Sequence, residues 1–513
     1  MKISRTKNAT RNIVFGILLR LYQTVCPFVI RTVMIYALGM EYLGLNSLFT
    51  SILQVLNLTE LGVGSAMTFS MYKPIAEDDT NRICALMQLY KIYYRVIGSV
   101  ILILGLVIMP FLPNLISGDV PANINVYVLY ILNLFATVFS YWLFAYKNSL
   151  VVAHQRTDIQ SKVGLFIGTF QYILQAVVLL AFKNYYFYLC IALLSQIMTN
   201  IVTAIITGKV YPKYHAVGKL DKNSVKEINR KIRDLFTAKV GGVVVNSADS
   251  IVISAFLGLI VLAQYNNYYY ILSAIMGFVS IIFNSCTAGI GNSIITETPE
   301  KNYHDFQVFT FIINWLAGFC VCCLLVLYQP FMNIWVGPEN TLSYSIVICF
   351  CLYFYVYELN CLYNLYKDAA GIWHEDRFRP LVTAFTNLML NLIMVQFWGL
   401  YGVLLSTVIS MVCVGTPWCI HNVFSTVFKK SMKEYLPGLF KHISITAVVT
   451  LITYVVCNFL PDGGFIFLFL KAVVCIAVSN VLYLIIYHRN HGFKETVQLI
   501  KRMVGRRNKS LGY

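Results

Sequence analysis

The stretch FQVFTFIINWLAGFCVCCLLVLYQPF, residues 306–331, decides what kind of molecule this is. From Phe306 to Phe331 it holds no Asp, Glu, Lys or Arg, and it exceeds the roughly 20 apolar residues that cross a bilayer's hydrocarbon core. Windows of the same kind recur along the chain. The first six cover 13–38, 44–70, 90–110, 126–146, 163–182 and 186–207. Six more cover 236–257, 262–294, 306–328, 342–365, 380–397 and 401–424, and a last pair covers 442–460 and 464–487. The reading is therefore an all-α polytopic membrane protein of about fourteen transmembrane helices. Short connections leave no room for a soluble domain. Composition agrees, with 58% hydrophobic against 12% charged residues, where soluble domains run about 45–50% and about 25%.

The basic residues orient these spans. The 39 Lys and Arg outnumber the 22 Asp and Glu and give a net charge of +17, which on a soluble chain would point to nucleic acid. Here most of them fall on one side of the membrane. With the N-terminus cytoplasmic, that side takes Lys2, Arg5, Lys7 and Arg11, then Lys73, Arg82 and Lys91, then Lys147, Arg156 and Lys162. It also takes the run in 209–233, Lys301, Lys367, Arg377, Arg379, the cluster in 429–441 and the tail from Arg489. The other side keeps Lys183 alone. This asymmetry requires an even number of spans and both termini inside. A cleavable signal peptide is not expected, because the first apolar stretch is long and carries Arg20 and Arg31. No nucleotide-binding loop, Ser-His-Asp pattern or HExxH is present, so no enzyme is expected, and no cofactor or metal. The 14 cysteines lie almost entirely in spans, as small packing residues.

The end of the opening stretch, Pro330-Phe331, has a twin at Pro110-Phe111, about 220 residues earlier. Tyr146-Lys147-Asn148 with His154 matches Tyr366-Lys367-Asp368 with His374 at the same offset, and Arg20 and Gly39 match Lys239 and Gly258 within one residue of it. Gly62-Val63-Gly64 resembles Gly289-Ile290-Gly291 after a small slip. Two six-helix bundles, 1–207 and 236–428, are thus expected to be related by a parallel pseudo-twofold axis. A basic cytoplasmic linker, 208–235, joins them. Two additional helices follow in 429–487, and a basic cytoplasmic tail in 488–513.

Charges inside spans are functional candidates by default, because each is costly in hydrocarbon. Arg20 and Arg31 lie within about 20° of each other on one helix face. Thr24 and Pro27 share that stripe, and Pro27 is expected to bend the helix. Lys239, Asn246 and Ser250 form the corresponding stripe in the seventh span, with Asp249 beside it. Arg20, Arg31, Lys239 and Asn246 are read as a cationic lumen for a phosphate or pyrophosphate; snorkelling or pairing with a carboxylate is the plain alternative. Arg95 and Lys471, near span ends, are read as snorkelling. Glu60, Asp249 and Glu358 are candidates for binding H⁺ or Na⁺, or for neutralising a cation. The amides Gln171, Gln175, Asn387 and Asn391 read as interhelical glue, or as a lumen lining suited to a hydroxyl-rich cargo; Tyr265, Tyr268, Tyr269 and Tyr270 read as packing or interface residues, with stacking on sugar rings the functional alternative.

Two stretches resemble the polysaccharide transporter family, the Wzx-type flippases of the multidrug/oligosaccharidyl-lipid/polysaccharide exporter superfamily. One runs from Glu41-Tyr42-Leu43-Gly44-Leu45 through Glu60-Leu61-Gly62-Val63-Gly64 to Tyr72-Lys73-Pro74; the other joins Tyr146-Lys147-Asn148 to Ala153-His154-Gln155-Arg156. The resemblance implies a V-shaped pair of bundles with a cationic lumen. It also implies alternating access that carries a polyprenyl-pyrophosphate-linked oligosaccharide from the inner to the outer leaflet of a bacterial plasma membrane, for capsule, O-antigen or a similar glycan. Membrane lipids and a glycan polymerase or ligase are the implied partners, and coupling to an ion gradient is implied as well. A peptidoglycan-precursor flippase is the main rival. A drug/cation antiporter would have twelve spans and an acidic lumen. A membrane glycosyltransferase would need acidic outer loops, whereas 111–125 and 329–341 hold only Asp119 and Glu339.

Overall fold

The computed structural model describes residues 5–498, apart from Leu61, Asp119 and His491, so most of the basic tail lies outside the described residues. Those residues form helices from end to end, and the chain divides after Asn266 into two compact units. Eleven helices among the described residues are long and apolar enough to cross a membrane, or twelve if one pair bent by 57° counts as a single span.

Unit 1 begins with α1 (Arg5–Ala37), which runs through Pro27 as one helix. α2 (Met40–Leu56) and α3 (Val63–Ala76) follow, then α4 (Thr80–Ile108) and α5 (Val126–Trp142). The short α6 (Lys147–Ala153) is bent from α5 by 57°. α7 (Thr157–Val177), α8 (Tyr185–Val210) and α9 (Lys222–Leu257) complete the unit with the first turns of α10 (Leu259–Thr296). Side chains in the loops start several of these helices by accepting their free backbone N–H groups. Asp79 does so for α4, Asn125 for α5, Asn184 for α8 and Asp221 for α9.

The second expected span, 44–70, is not one helix. α2 is only 17 residues long, a 3₁₀ turn at Asn57–Glu60 follows it, and Gly62 then takes a left-handed φ of 90° ahead of α3. Leu235 of α9 backs onto that glycine, where a Cβ would stand 2.7 Å from the leucine Cβ. Both the positive φ and the close approach require Gly here.

Unit 2 holds the rest of α10, then α11 (Pro299–Val336), α12 (Tyr344–Ala370) and α13 (Arg379–Ser410). After them come α14 (Thr416–Val423), α15 (Leu436–Asn458) and α16 (Gly464–Tyr487). The eleventh and twelfth windows fall in one helical element, 379–428, kinked at Gly399 (φ 53°, ψ −131°). That merger, the broken second span and the bent pair of α5 and α6 together account for the difference between fourteen windows and eleven long helices among the described residues. Asn387 bonds Thr407 at 2.9 Å across the kink, and Ser406 bonds Asn391, so the amides join the two halves.

α11 is the centre of unit 2. Phe306 near its start meets the rings of Phe428, Tyr366 and Tyr435 at 5.0, 5.1 and 5.2 Å. Further along, Phe311, Cys322 and Val326 pack with Val449 and Cys457 of α15 and with Cys475, Tyr483 and Tyr487 of α16. The two C-terminal spans therefore belong to the core of unit 2. Away from these cores, large apolar side chains such as Phe465, Ile466 and Phe469 face outward, as a lipid-facing surface must.

Candidate functional site

The in-span charges separate by environment. On α1, Arg20 is exposed, while Arg31 is half-buried and its Nη1 donates to the Asn266 carbonyl of α10 at 2.8 Å. Tyr188 of α8 lies within electrostatic reach of the same guanidinium. Thr24 of that stripe turns back on the Arg20 carbonyl at 3.0 Å. The Asn266 carbonyl thus fixes one arm of a planar donor fork on the face that α1 turns toward α10. The side chains of Lys239 and Asn246 lie outside the described residues. Their neighbours on α9, Asp249 and Ser250, are buried, and α9 packs on α2.

Glu60 sits in the 3₁₀ turn that breaks the second span. Tyr94 of α4 donates to its Oε1 at 3.1 Å, and Tyr90 donates to Tyr94 at 2.5 Å. Beside them Tyr141 of α5 bonds the Asn57 side chain at 3.1 Å. A Cβ at Gly64 would stand 3.1 Å from both Glu60 Oε1 and the Tyr90 hydroxyl. Two hydroxyls in series ending on a carboxylate polarise one another. The result is a wired polar centre inside unit 1, at the only described break of that span.

Glu358 of α12 is the opposite case. It is 1% exposed, and neither carboxylate oxygen has a hydrogen-bond partner among the described residues. Cys320 of α11, Tyr357 and Cys361 surround it. A carboxylate with no hydrogen-bond donor among the described residues is expensive in hydrocarbon, and a bound proton or cation removes that cost.

A matched pair of acid clamps holds the connections between spans. In unit 1 the fully buried Asp158 accepts from Arg156 at 2.9 Å and pairs with Lys162 at 3.3 Å. In unit 2 the buried Asp376 takes both Nε and Nη2 of Arg379 at 2.6 and 2.7 Å, with Lys367 at 3.6 Å and Asn422 at 3.3 Å. The repeated Tyr-Lys motif has diverged around them. Lys147 bonds the Ala204 carbonyl at 3.2 Å, whereas Lys367 pairs with Asp368 at 2.8 Å. His154 is buried, with Tyr211 and Tyr214 at 4.3 and 5.6 Å, and burial pushes its imidazole below its ordinary range. His374 is exposed.

Solved structures match this architecture over most of their own length. The lipid II flippase MurJ, in an inward closed conformation, matches 93% of this chain and 99% of its own, at 15% identity and a TM-score of 0.62. An inward-facing multidrug resistance MATE family transporter of the MOP superfamily matches 81% of this chain and 99% of its own, at 13% identity and a TM-score of 0.62. A MOP superfamily transporter from Pyrococcus furiosus matches 83% and 97%, at 12% identity and a TM-score of 0.53. The chain has the fold of the MOP-superfamily transporters. No family model and no curated protein matches its sequence.

Within that fold, sequence reasoning missed three partnerships. The tyrosines serving Glu60 come from α4, and the one serving Asn57 from α5; aromatics in spans read as packing. Arg156, Lys162, Lys367 and Arg379 were legible only as markers of sidedness, and nothing local showed which would be buried. Lys471 is not a snorkelling residue: it is 4% exposed and ends on Asp462 at 2.5 Å. Arg95, by contrast, is exposed. Gln175 does act as glue, reaching the Tyr188 carbonyl at 3.3 Å, and Tyr268 is a packed residue whose hydroxyl bonds Gln329 at 2.7 Å.

Proposed function

We propose that this protein is a flippase that moves a polyprenyl-pyrophosphate-linked oligosaccharide from the inner to the outer leaflet of a bacterial plasma membrane by alternating access. Its cargo serves a surface polysaccharide such as capsule or O-antigen, and a polymerase or ligase takes it up outside. Both termini are cytoplasmic in this reading. The observation that carries it is the extent of the likeness to MurJ. That match takes in 93% of the chain, against 81% and 83% for the MATE and Pyrococcus transporters, and so favours a lipid flippase over an antiporter. The Wzx-type motifs and the in-span cations support the polysaccharide branch.

A diphosphate cannot cross hydrocarbon unaided, for the desolvation reason that makes buried charge rare. Arg20, Arg31, Lys239 and Asn246 are proposed to hold it while the prenyl chain stays in lipid. Glu60, Asp249 and Glu358 are proposed to couple the cycle to an H⁺ or Na⁺ gradient, Glu358 because nothing in the described protein satisfies it. A second reading, a peptidoglycan-precursor flippase, is favoured by the same MurJ likeness.

Reconstitution into liposomes separates the two. Transfer to the far leaflet is followed for a polyprenyl-pyrophosphate oligosaccharide and for a lipid-linked muropeptide. The first is expected to cross at least tenfold faster than in protein-free vesicles, and the second at the background rate. Transfer of the muropeptide alone establishes the second reading, and transfer of neither rejects both.

A further inference from the structure

Unit 2 contains a polar cavity of about 170 Å³ that none of the cargo or coupling residues lines. It lies between the last turns of α11, the start of α12, the end of α15 and the first turns of α16. The nearby loops 337–343 and 459–463 carry no Lys or Arg. The cavity's central group is Lys471, whose stem is buried and whose Nζ meets Asp462 Oδ1 at 2.5 Å. An ammonium has three N–H donors, and this is the one hydrogen bond Lys471 makes among the described residues. Two donors of a buried cation therefore remain for whatever fills the cavity, a costly state if nothing does.

The rest of the wall narrows the chemistry. Asp462 cancels the charge of Lys471, and no other charged side chain lines the cavity. An anion would gain the ammonium but meet the carboxylate; a hydroxyl accepts from the first and donates to the second. Asn333 and Asn458 are exposed residues of the lining, and their amides make no side-chain hydrogen bond among the described residues. Tyr344 and Tyr454 form one wall, their ring centroids 5.4 Å apart, and the Tyr344 hydroxyl is anchored on the Leu325 carbonyl at 3.0 Å. Pro330, also in the wall, has no N–H for the Val326 carbonyl four residues earlier, so that acceptor is freed from its usual helical donor.

We infer that this cavity is a binding site for one neutral sugar ring, its hydroxyls bridging Lys471 and Asp462 and its C–H face lying on the tyrosine wall. The ring can come from a free saccharide or from the headgroup of a glycolipid. The site is separate from the cargo reading, so its failure leaves the translocation result untouched.

The test uses the full chain in a zwitterionic detergent, since maltoside detergents would carry sugar into the assay. Saturation-transfer NMR is recorded with methyl glycosides of glucose, galactose, N-acetylglucosamine and rhamnose. At least one is expected to bind, with affinity at least tenfold weaker in Lys471→Met and in Asp462→Asn. Asp462 has 71% of its side chain exposed, so the Asn variant should keep the fold, which a thermal melt checks. Ten millimolar phosphate is expected not to compete. Tighter binding of the decyl glycosides marks a glycolipid as the source, and parity marks a free saccharide. Binding of none of the four, unchanged binding in folded Asp462→Asn, or displacement by phosphate overturns the inference.

Discussion

Arg379 shows how a residue's position in the sequence can hide its work. By sequence it is one more basic group on the cytoplasmic side, yet its guanidinium is buried and forks onto Asp376. Removing one member of a buried ion pair costs about 3–5 kcal/mol, because the other is left charged and alone. Asp376→Asn is therefore expected to lower the thermal midpoint in detergent sharply, whereas Glu375→Gln, exposed next door, should leave it unchanged. Equal midpoints for the two variants would show that the clamp does not hold unit 2. Arg20 and Arg31 make the same point in the other direction. The helical period predicts a shared stripe, but among the described residues Arg31 reaches the Asn266 carbonyl while Arg20 stays exposed.

At the scale of the element, apolar windows locate spans well and breaks poorly. The second span is interrupted because Gly62 reverses the backbone under Leu235, and that contact spans most of unit 1 in sequence. The interruption brings Glu60 and Asn57 to the tyrosines of α4 and α5. α2 itself is held by a close approach, since a Cβ at Gly44 would stand 2.2 Å from the Leu259 carbonyl oxygen. A backbone atom cannot rotate away as a side chain can. Gly44→Ala is expected to cost about 1–3 kcal/mol by overpacking, read as a lower melting midpoint, while Gly242→Ala on an open helix face stays neutral or better. A Gly44→Ala midpoint at or above wild type would mean that α2 and α10 are not in contact.

At the scale of the whole molecule, the carboxylates differ in what they can do. Glu60 is wired to hydroxyls, and Glu358 has no hydrogen bond among the described residues. Glu358→Gln keeps shape and volume but cannot take up and release a proton. It is expected to lower gradient-driven translocation at least tenfold and to abolish its response to an imposed pH gradient, with folding intact by melt. A folded variant that keeps the wild-type response removes Glu358 from coupling. The all-helical membrane class, the spans and the repeat were legible in the sequence alone, because each depends on the transfer of a local window into hydrocarbon or on a motif recurring at one offset. What only the tertiary structure decided is the state of each charge. Asp158 and Asp376 are clamped, Lys471 reaches Asp462, and Glu358 is left unsatisfied, because a partner is chosen by helices that meet in space and no window of 20 residues contains it.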